Sequence, residues 1–253
     1  MSFLEIGSIR KTFGGIVSLN GVDMKIKKNS ISALIGPNGS GKTTLFNVIS
    51  GFFPPDSGNV LFKGEDITGL SPNRIALKGL MRTFQIPRLF HKMTVLENMF
   101  TAPKNQKGEN LFHSLINWKE VEKAEAQNLE TASRILELLS IEHLANEWAG
   151  NLSGGQKKLL ELARILMADP EVILLDEPVA GVNPTLSNKI FESIIELRNR
   201  LNKTFLIVEH NMDVVLNYCE WIGVMHRGQI FTEGTPQEII KNEEVTRIYF
   251  GVA

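Results

Sequence analysis

Cysteine is nearly absent from this chain. Cys219 is the single one among 253 residues, which excludes an intramolecular disulfide framework and, by itself, a zinc site. An excess of charge is also lacking: 27 Lys and Arg face 28 Asp and Glu, a formal net charge of -1. That balance argues against nucleic acid as the main partner, because phosphate binding usually leaves a strongly basic face. No run approaches the ~20 apolar residues of a bilayer-spanning helix. The start, MSFLEIGSIRK, carries no apolar core of a secretory signal. These absences lead us to expect a soluble protein of a reducing compartment, the cytoplasm. The remainder is an ordinary globular mixture, 43% apolar and 22% charged. A chain of this length buries roughly three quarters of its unfolded surface and needs no staples. It suffices for one large α/β domain or two small ones.

Residues 3–11 and 17–27 read as an antiparallel strand pair joined at Gly14-Gly15. The β-rich run Ser30–Gly36 leads to a helix over Lys42–Ser50, which Gly51 ends; a further strand follows at Asn59–Lys63. Helices are expected over Trp118–Leu139 and from about Gly154 to Met167. Before these, residues 101–117 are polar and irregular. Val172–Leu175 is apolar without alternation, the mark of a strand covered on both faces. Asn183-Pro184 reads as N-cap and first residue of a helix to Leu201. Then come a strand at Thr204–Glu209, a helix at Met212–Cys219, a hairpin through Arg227-Gly228, and a capping box at Thr235–Glu238. Strands alternate with helices through most of the chain, so the main sheet should be largely parallel.

The strongest signal is the run Gly36, Pro37, Asn38, Gly39, Ser40, Gly41, Lys42, Thr43. It matches G-x-x-x-x-G-K-[ST] between an expected strand and an expected helix, the context such a loop requires. The glycines let the backbone curl so that successive N–H groups point at phosphate oxygens, and the helix start adds its positive dipole end. Lys42 would reach the β- and γ-phosphates, and Thr43 would ligate Mg²⁺. A nucleoside triphosphate site follows.

A second glycine cluster, Leu152-Ser153-Gly154-Gly155-Gln156, opens another helix, with Ser153 as a plain N-cap by the blander reading. Farther on, Val172-Ile-Leu-Leu-Asp176-Glu177-Pro178 is an apolar strand ending in two carboxylates. Buried charges there are costly unless they face a cation. Asp176 suits a metal ligand and Glu177 a base that orients attacking water.

In this order, the phosphate loop, Gln85, LSGGQ, LLDEP and His210 resemble the nucleotide-binding subunits of ABC transporters over essentially the whole chain. The resemblance implies an α/β fold: a P-loop NTPase (RecA-like) core with a mostly parallel sheet, an N-terminal antiparallel β subdomain, and a helical subdomain at about 88–168 of a single domain, 1–253. It implies that Gly36 to Thr44 bind ATP phosphates and that Asp176 and Glu177 serve metal and water. By the same resemblance Gln85 touches Mg²⁺ and senses the membrane partner, His210 contacts the γ-phosphate, and Phe13 stacks on adenine. Ser153, Gly154, Gly155 and Gln156 would close over the ATP of a second ATP-binding subunit, in a head-to-tail homo- or heterodimer with two composite sites. Lys42, Glu177, Gln85 and His210 then form the catalytic set. One departure stands out: where the family usually carries a D-loop aspartate, this chain has Asn183.

The stretch Thr83–Asn98, the insertion at about 101–120, Ala180–Pro184 and the ending Ile248-Tyr-Phe-Gly251 resemble one subgroup, the ATP-binding subunits of branched-chain (hydrophobic) amino acid importers. Lipopolysaccharide-export ATPases share several of these features, but usually keep the aspartate and lack so long an insertion. Family members acting on DNA or ribosomes generally carry tandem cassettes, coiled coils or zinc modules, which this chain lacks. The expected partners are transmembrane permease subunits, the second ATP-binding subunit and, indirectly, a solute-binding protein, with no nucleic acid. The expected place is the cytoplasmic face of the cell (inner) membrane. Ile86, Pro87, Leu89, Phe90 and Met93 are the candidates for docking a permease helix; alternatively they pack the helical subdomain.

Overall fold

The computed structural model describes residues 2–84, 87–103 and 118–250. Gln85, Ile86, part of the insertion and Gly251 therefore lie outside the described residues. The chain divides into two compact units, one of residues 1–85, 171–180 and 194–253, the other of 86–170 and 181–193.

The first unit contains two sheets. Strands β1 (Ser2–Phe13) and β2 (Ile16–Lys27) form the expected hairpin. With β4 (Ser57–Phe62) and β5 (Glu65–Asp66) they make an antiparallel sheet in the order β2-β1-β4-β5. The main sheet holds β3 (Ile31–Ile35), β6 (Leu80–Arg82), β7 (Val172–Asp176), β8 (Thr204–Val208), β9 (Trp221–His226) and β10 (Gln229–Gly234). Its order is β10-β9-β3-β8-β7-β6, parallel except for β10, which pairs antiparallel with β9. Every residue of β3, β7 and β8 is buried, which explains why Val172–Leu175 reads as an apolar run without alternation. The core joins both sheets through Leu4, Ile26, Leu34, Phe46, Phe62, Leu174 and Leu206.

Helices α1 (Lys42–Ile49) and α2 (Pro72–Lys78) also belong to this unit. Proline at the first position of α2 and Gly79 beyond its end, at φ 102°, bound it. In the second unit, α3 (Val95–Phe100), α4 (Trp118–Leu138) and α5 (Gly154–Met167) pack on one another. Asn98 is fully buried and pins the preceding loop: Oδ1 accepts from Phe90 N at 2.9 Å while Nδ2 donates to the carbonyls of Phe90 and Thr94. Helix α6 (Pro184–Leu201) starts as expected, with Asn183 Oδ1 accepting from Leu186 N at 2.9 Å. Its buried stripe includes Ile190, Phe191, Ile194 and Leu197. Helices α7 (Met212–Tyr218), α8 (Pro236–Ile240) and α9 (Glu243–Phe250) complete the chain. The Thr235–Glu238 box caps α8: the Glu238 carboxylate accepts from Thr235 N and Oγ1, at 2.7 and 2.9 Å.

Candidate active site

Because β3, β8 and β7 are adjacent and parallel, their C-terminal ends open on one side of the sheet. The loop Gly36–Gly41 leaves β3 there, Asp176 ends β7, and His210 follows β8. This is where open α/β sheets place their ligands.

The loop cannot be built from larger residues. A Cβ on Gly36, at φ 153°, would lie 2.1 Å from Met225 O and 2.8 Å from Ser40 Oγ. One on Gly41, at φ 109°, would lie 2.6 Å from Ser18 O. The curl is further tied by Ser40 N donating to Pro37 O and Gly228 N donating to Ser40 O. Leu45 N donates to Gly41 O at 2.9 Å, so the amides of Lys42, Thr43 and Thr44 precede the first intrahelical bond of α1. Lys42 is buried, and its Nζ donates to Gly36 O at 2.7 Å and Pro37 O at 3.0 Å. Burial pushes this ammonium below the ordinary lysine pKa, and the charges of Glu177 and Asp176 act against that shift. Thr44 is fixed by Ser18, whose Oγ donates to Thr44 Oγ1 at 2.8 Å.

Glu177 occupies the left-handed region at φ 50°, and its N–H donates to Val208 O. This bend turns the side chain toward the end of β8, with Oε1 3.0 Å from His210 Nε2. Asp176 is held differently. Its Oδ2 lies 2.6 Å from Nη2 of Arg82, and both side chains are almost fully buried. Its N–H donates to Thr83 Oγ1. Phe13 stays out of the core at 40% exposure, its ring edge-to-face with Phe53 at 5.3 Å.

These residues fit a triphosphate with Mg²⁺. Ser40 Oγ is buried without a hydrogen-bond partner inside the curled loop, and the start of α1 presents unpaired amides beside it. Thr43 and Asp176 offer hard oxygens of the kind Mg²⁺ takes. Among the described residues no group of three or more His, Cys, Asp or Glu gathers around a metal position. Such a donor set suits an ion that completes its shell with phosphate and water.

Ser153 and Gln156 form a reciprocal capping box on α5: Gln156 N donates to Ser153 Oγ at 3.3 Å, and Ser153 N donates to Gln156 Oε1 at 2.8 Å. The two glycines between them differ. A Cβ on Gly154 would meet nothing within 4 Å, whereas one on Gly155 would lie 2.1 Å from Leu186 Cδ2. Gly155 therefore allows α6 to approach α5, and Gly154 faces outward.

The sequence model described as ABC transporter matches residues 19–180. The chain belongs to the ABC transporter family. The probable branched-chain amino acid transport ATP-binding protein LivG of Archaeoglobus fulgidus is 46% identical over 99% of this chain and 96% of its own. The crystal structure of the ADP conformation of an ATP-binding cassette of an ABC transporter is 42% identical, with a TM-score of 0.85 over 100% of both chains. The dimeric structure of a bacterial ABC transporter cassette is 25% identical, with a TM-score of 0.74 over 92% of this chain and 98% of that one. The α/β P-loop fold with its β subdomain, expected from the sequence, is the fold of this ABC cassette.

Sequence reading missed three residues beside this ABC site. Arg82 ends β6 and faces Asp176. Asn47, on α1, accepts from Arg82 Nη1 at 2.6 Å. Glu209 is buried; its Oε1 accepts from Val179 N, and its Oε2 from His210 N and Asn211 N. Glu209 carried a usable signal, because it also ends an apolar strand with a carboxylate. Arg82 carried none, since β6 is only three residues long. Of the docking candidates described, Leu89 is buried while Phe90 and Met93 are exposed.

Proposed function

We propose that this chain is the subunit that powers a membrane importer of branched-chain amino acids by hydrolysing ATP. The observation that carries the catalytic reading is the convergence, at the ends of β3, β7 and β8, of a phosphate loop, an acid pair and a histidine. Near full-length similarity to LivG proteins supports the substrate class.

In this reading one domain spans 1–253, with a helical subdomain at about 88–168. The loop Gly36–Thr44 and the start of α1 hold the phosphates, and Lys42 exchanges its carbonyl partners for β- and γ-oxygens. Thr43, Asp176 and Gln85 hold Mg²⁺, which supplies charge neutralisation of the phosphates. Glu177 takes the proton of the attacking water, and His210, within hydrogen-bond reach of Glu177, contacts the γ-phosphate. Phe13 stacks on adenine.

Ser153, Gly154 and the backbone of Gly155 and Gln156 close over the ATP of a second ATP-binding subunit, head to tail. The dimeric cassette supports such pairing. Among the described residues no helix is long and apolar enough to cross a membrane. In this reading the subunit sits peripherally on the cytoplasmic face, docked on permease subunits through exposed Phe90 and Met93, with a solute-binding protein acting indirectly.

Two measurements test this. In Glu177→Gln, ATP should still bind and should trap a dimer visible by size-exclusion chromatography, while steady-state phosphate release disappears; unchanged turnover refutes the role of Glu177. The full chain should copurify with a membrane permease whose binding protein takes branched-chain amino acids. Copurification with a lipid-export complex, with ribosomes or with DNA refutes the importer assignment.

A further inference from the structure

The Arg82 side chain is only 6% exposed, and that of Asp176 7%. Its guanidinium is confined by groups from three places in the chain. Nη2 donates to Asp176 Oδ2 at 2.6 Å, Nη1 donates to Asn47 Oδ1 at 2.6 Å, and the rings of Phe46 and Phe84 lie 5.5 and 5.9 Å from Cζ. A planar fork usually grips a carboxylate with two parallel bonds. Here it spends one arm on Asp176 and the other on Asn47, so Asp176 Oδ1 stays outside the pair. Asn47 stands one helical turn beyond Thr43 on α1. One buried cation thus ties the helix that carries the metal-seeking hydroxyl to the strand that carries the metal-seeking acid.

We propose that Arg82 is a positioning residue that sets how strongly a divalent cation and the nucleotide are coupled in this site. It keeps Asp176 charge-balanced and oriented through Oδ2 whether or not a divalent cation is near, and leaves Oδ1 available to one. The carboxylate's charge is then shared between two cations. A fixed positive group this close and this dry opposes a second one more strongly than it would in water, so Arg82 holds metal affinity below what Asp176 alone would give. The inference rests on the reading of Asp176 as a metal-side acid.

The test measures ADP affinity of the full chain by calorimetry, in excess EDTA and in saturating MgCl₂; with ADP no turnover intervenes. The readout is the ratio of the two dissociation constants, the metal enhancement. Arg82→Gln should raise that ratio at least about tenfold over the native chain. Arg82→Lys keeps the charge but not both arms, and should raise it about threefold. A purely structural role would weaken ADP equally with and without Mg²⁺, leaving the ratio unmoved, and that result overturns the proposal. Should Arg82→Gln fail to fold, an unmoved ratio in Arg82→Lys overturns it alone. A native ratio of one would instead remove the metal reading of Asp176, a failure distinguishable from this one.

Discussion

Glu177 Oε1 and His210 Nε2 lie 3.0 Å apart, at the ends of neighbouring strands β7 and β8. The Glu177 bend at φ 50° is fastened by its own N–H on Val208 O. The acid and the histidine are therefore placed by one backbone arrangement and should act as a unit. Glu177→Gln and His210→Ala should each slow steady-state phosphate release by on the order of 10²–10⁴. The double variant should be no slower than the worse single variant. Rates that multiply would show two independent residues.

The glycines of the second cluster should separate folding from activity. Gly155→Ala drives a methyl into Leu186, and overpacking of this kind costs about 1–3 kcal/mol. Gly154→Ala meets nothing and replaces a poor helix former. Its melting temperature should match or exceed the native one while ATP-dependent dimerisation falls. Thermal melts of both variants beside size-exclusion chromatography with ATP check this. Equal destabilisation would place Gly154 in the packing as well.

Glu209 joins two loops. One carboxylate accepts from the amides of Val179, His210 and Asn211, so the chain after β7 and the chain after β8 share a single anchor. Glu209→Gln puts an amide donor where an N–H needs an acceptor. Leaving a buried donor unmet costs about 1–3 kcal/mol, which urea denaturation should show as a lower midpoint. A loss below about 0.5 kcal/mol would mean that water or a shifted loop replaces the carboxylate.

What was legible in the sequence was what is local in it. The phosphate loop, the Thr235–Glu238 box and the Ser153 and Asn183 caps each lie within a few residues, so their spacing announces their geometry. The buried strand β7 was legible because its two covered faces leave the apolar run Val172–Leu175. The acid pair was legible only by half. The sequence pointed Asp176 at a metal ion; the cation the structure sets against it is Arg82, 94 residues away in the chain. Arg82 reaches Asp176 because β6 pairs with β7 in a register that sets Arg82 opposite Leu174, and no spacing rule yields that neighbour. Helix α2 was passed over although Ser71-Pro72 and Gly79 mark both its ends. Its apolar residues are consecutive and only Ile75 is buried, and a seven-residue helix has too few turns for a periodicity to show.

The borders of the main sheet have a bearing on how copies of this protein meet. One border, β6, is three residues long. The other, β10, is antiparallel to its neighbour, and its turn is fastened to β2 by Asn20 N donating to Gly228 O and Gln229 Nε2 donating to Asn20 O. Short or covered borders make poor templates for an incoming strand. Sheet-to-sheet zippering, the route by which crowded β proteins become fibres, is thereby discouraged at both ends.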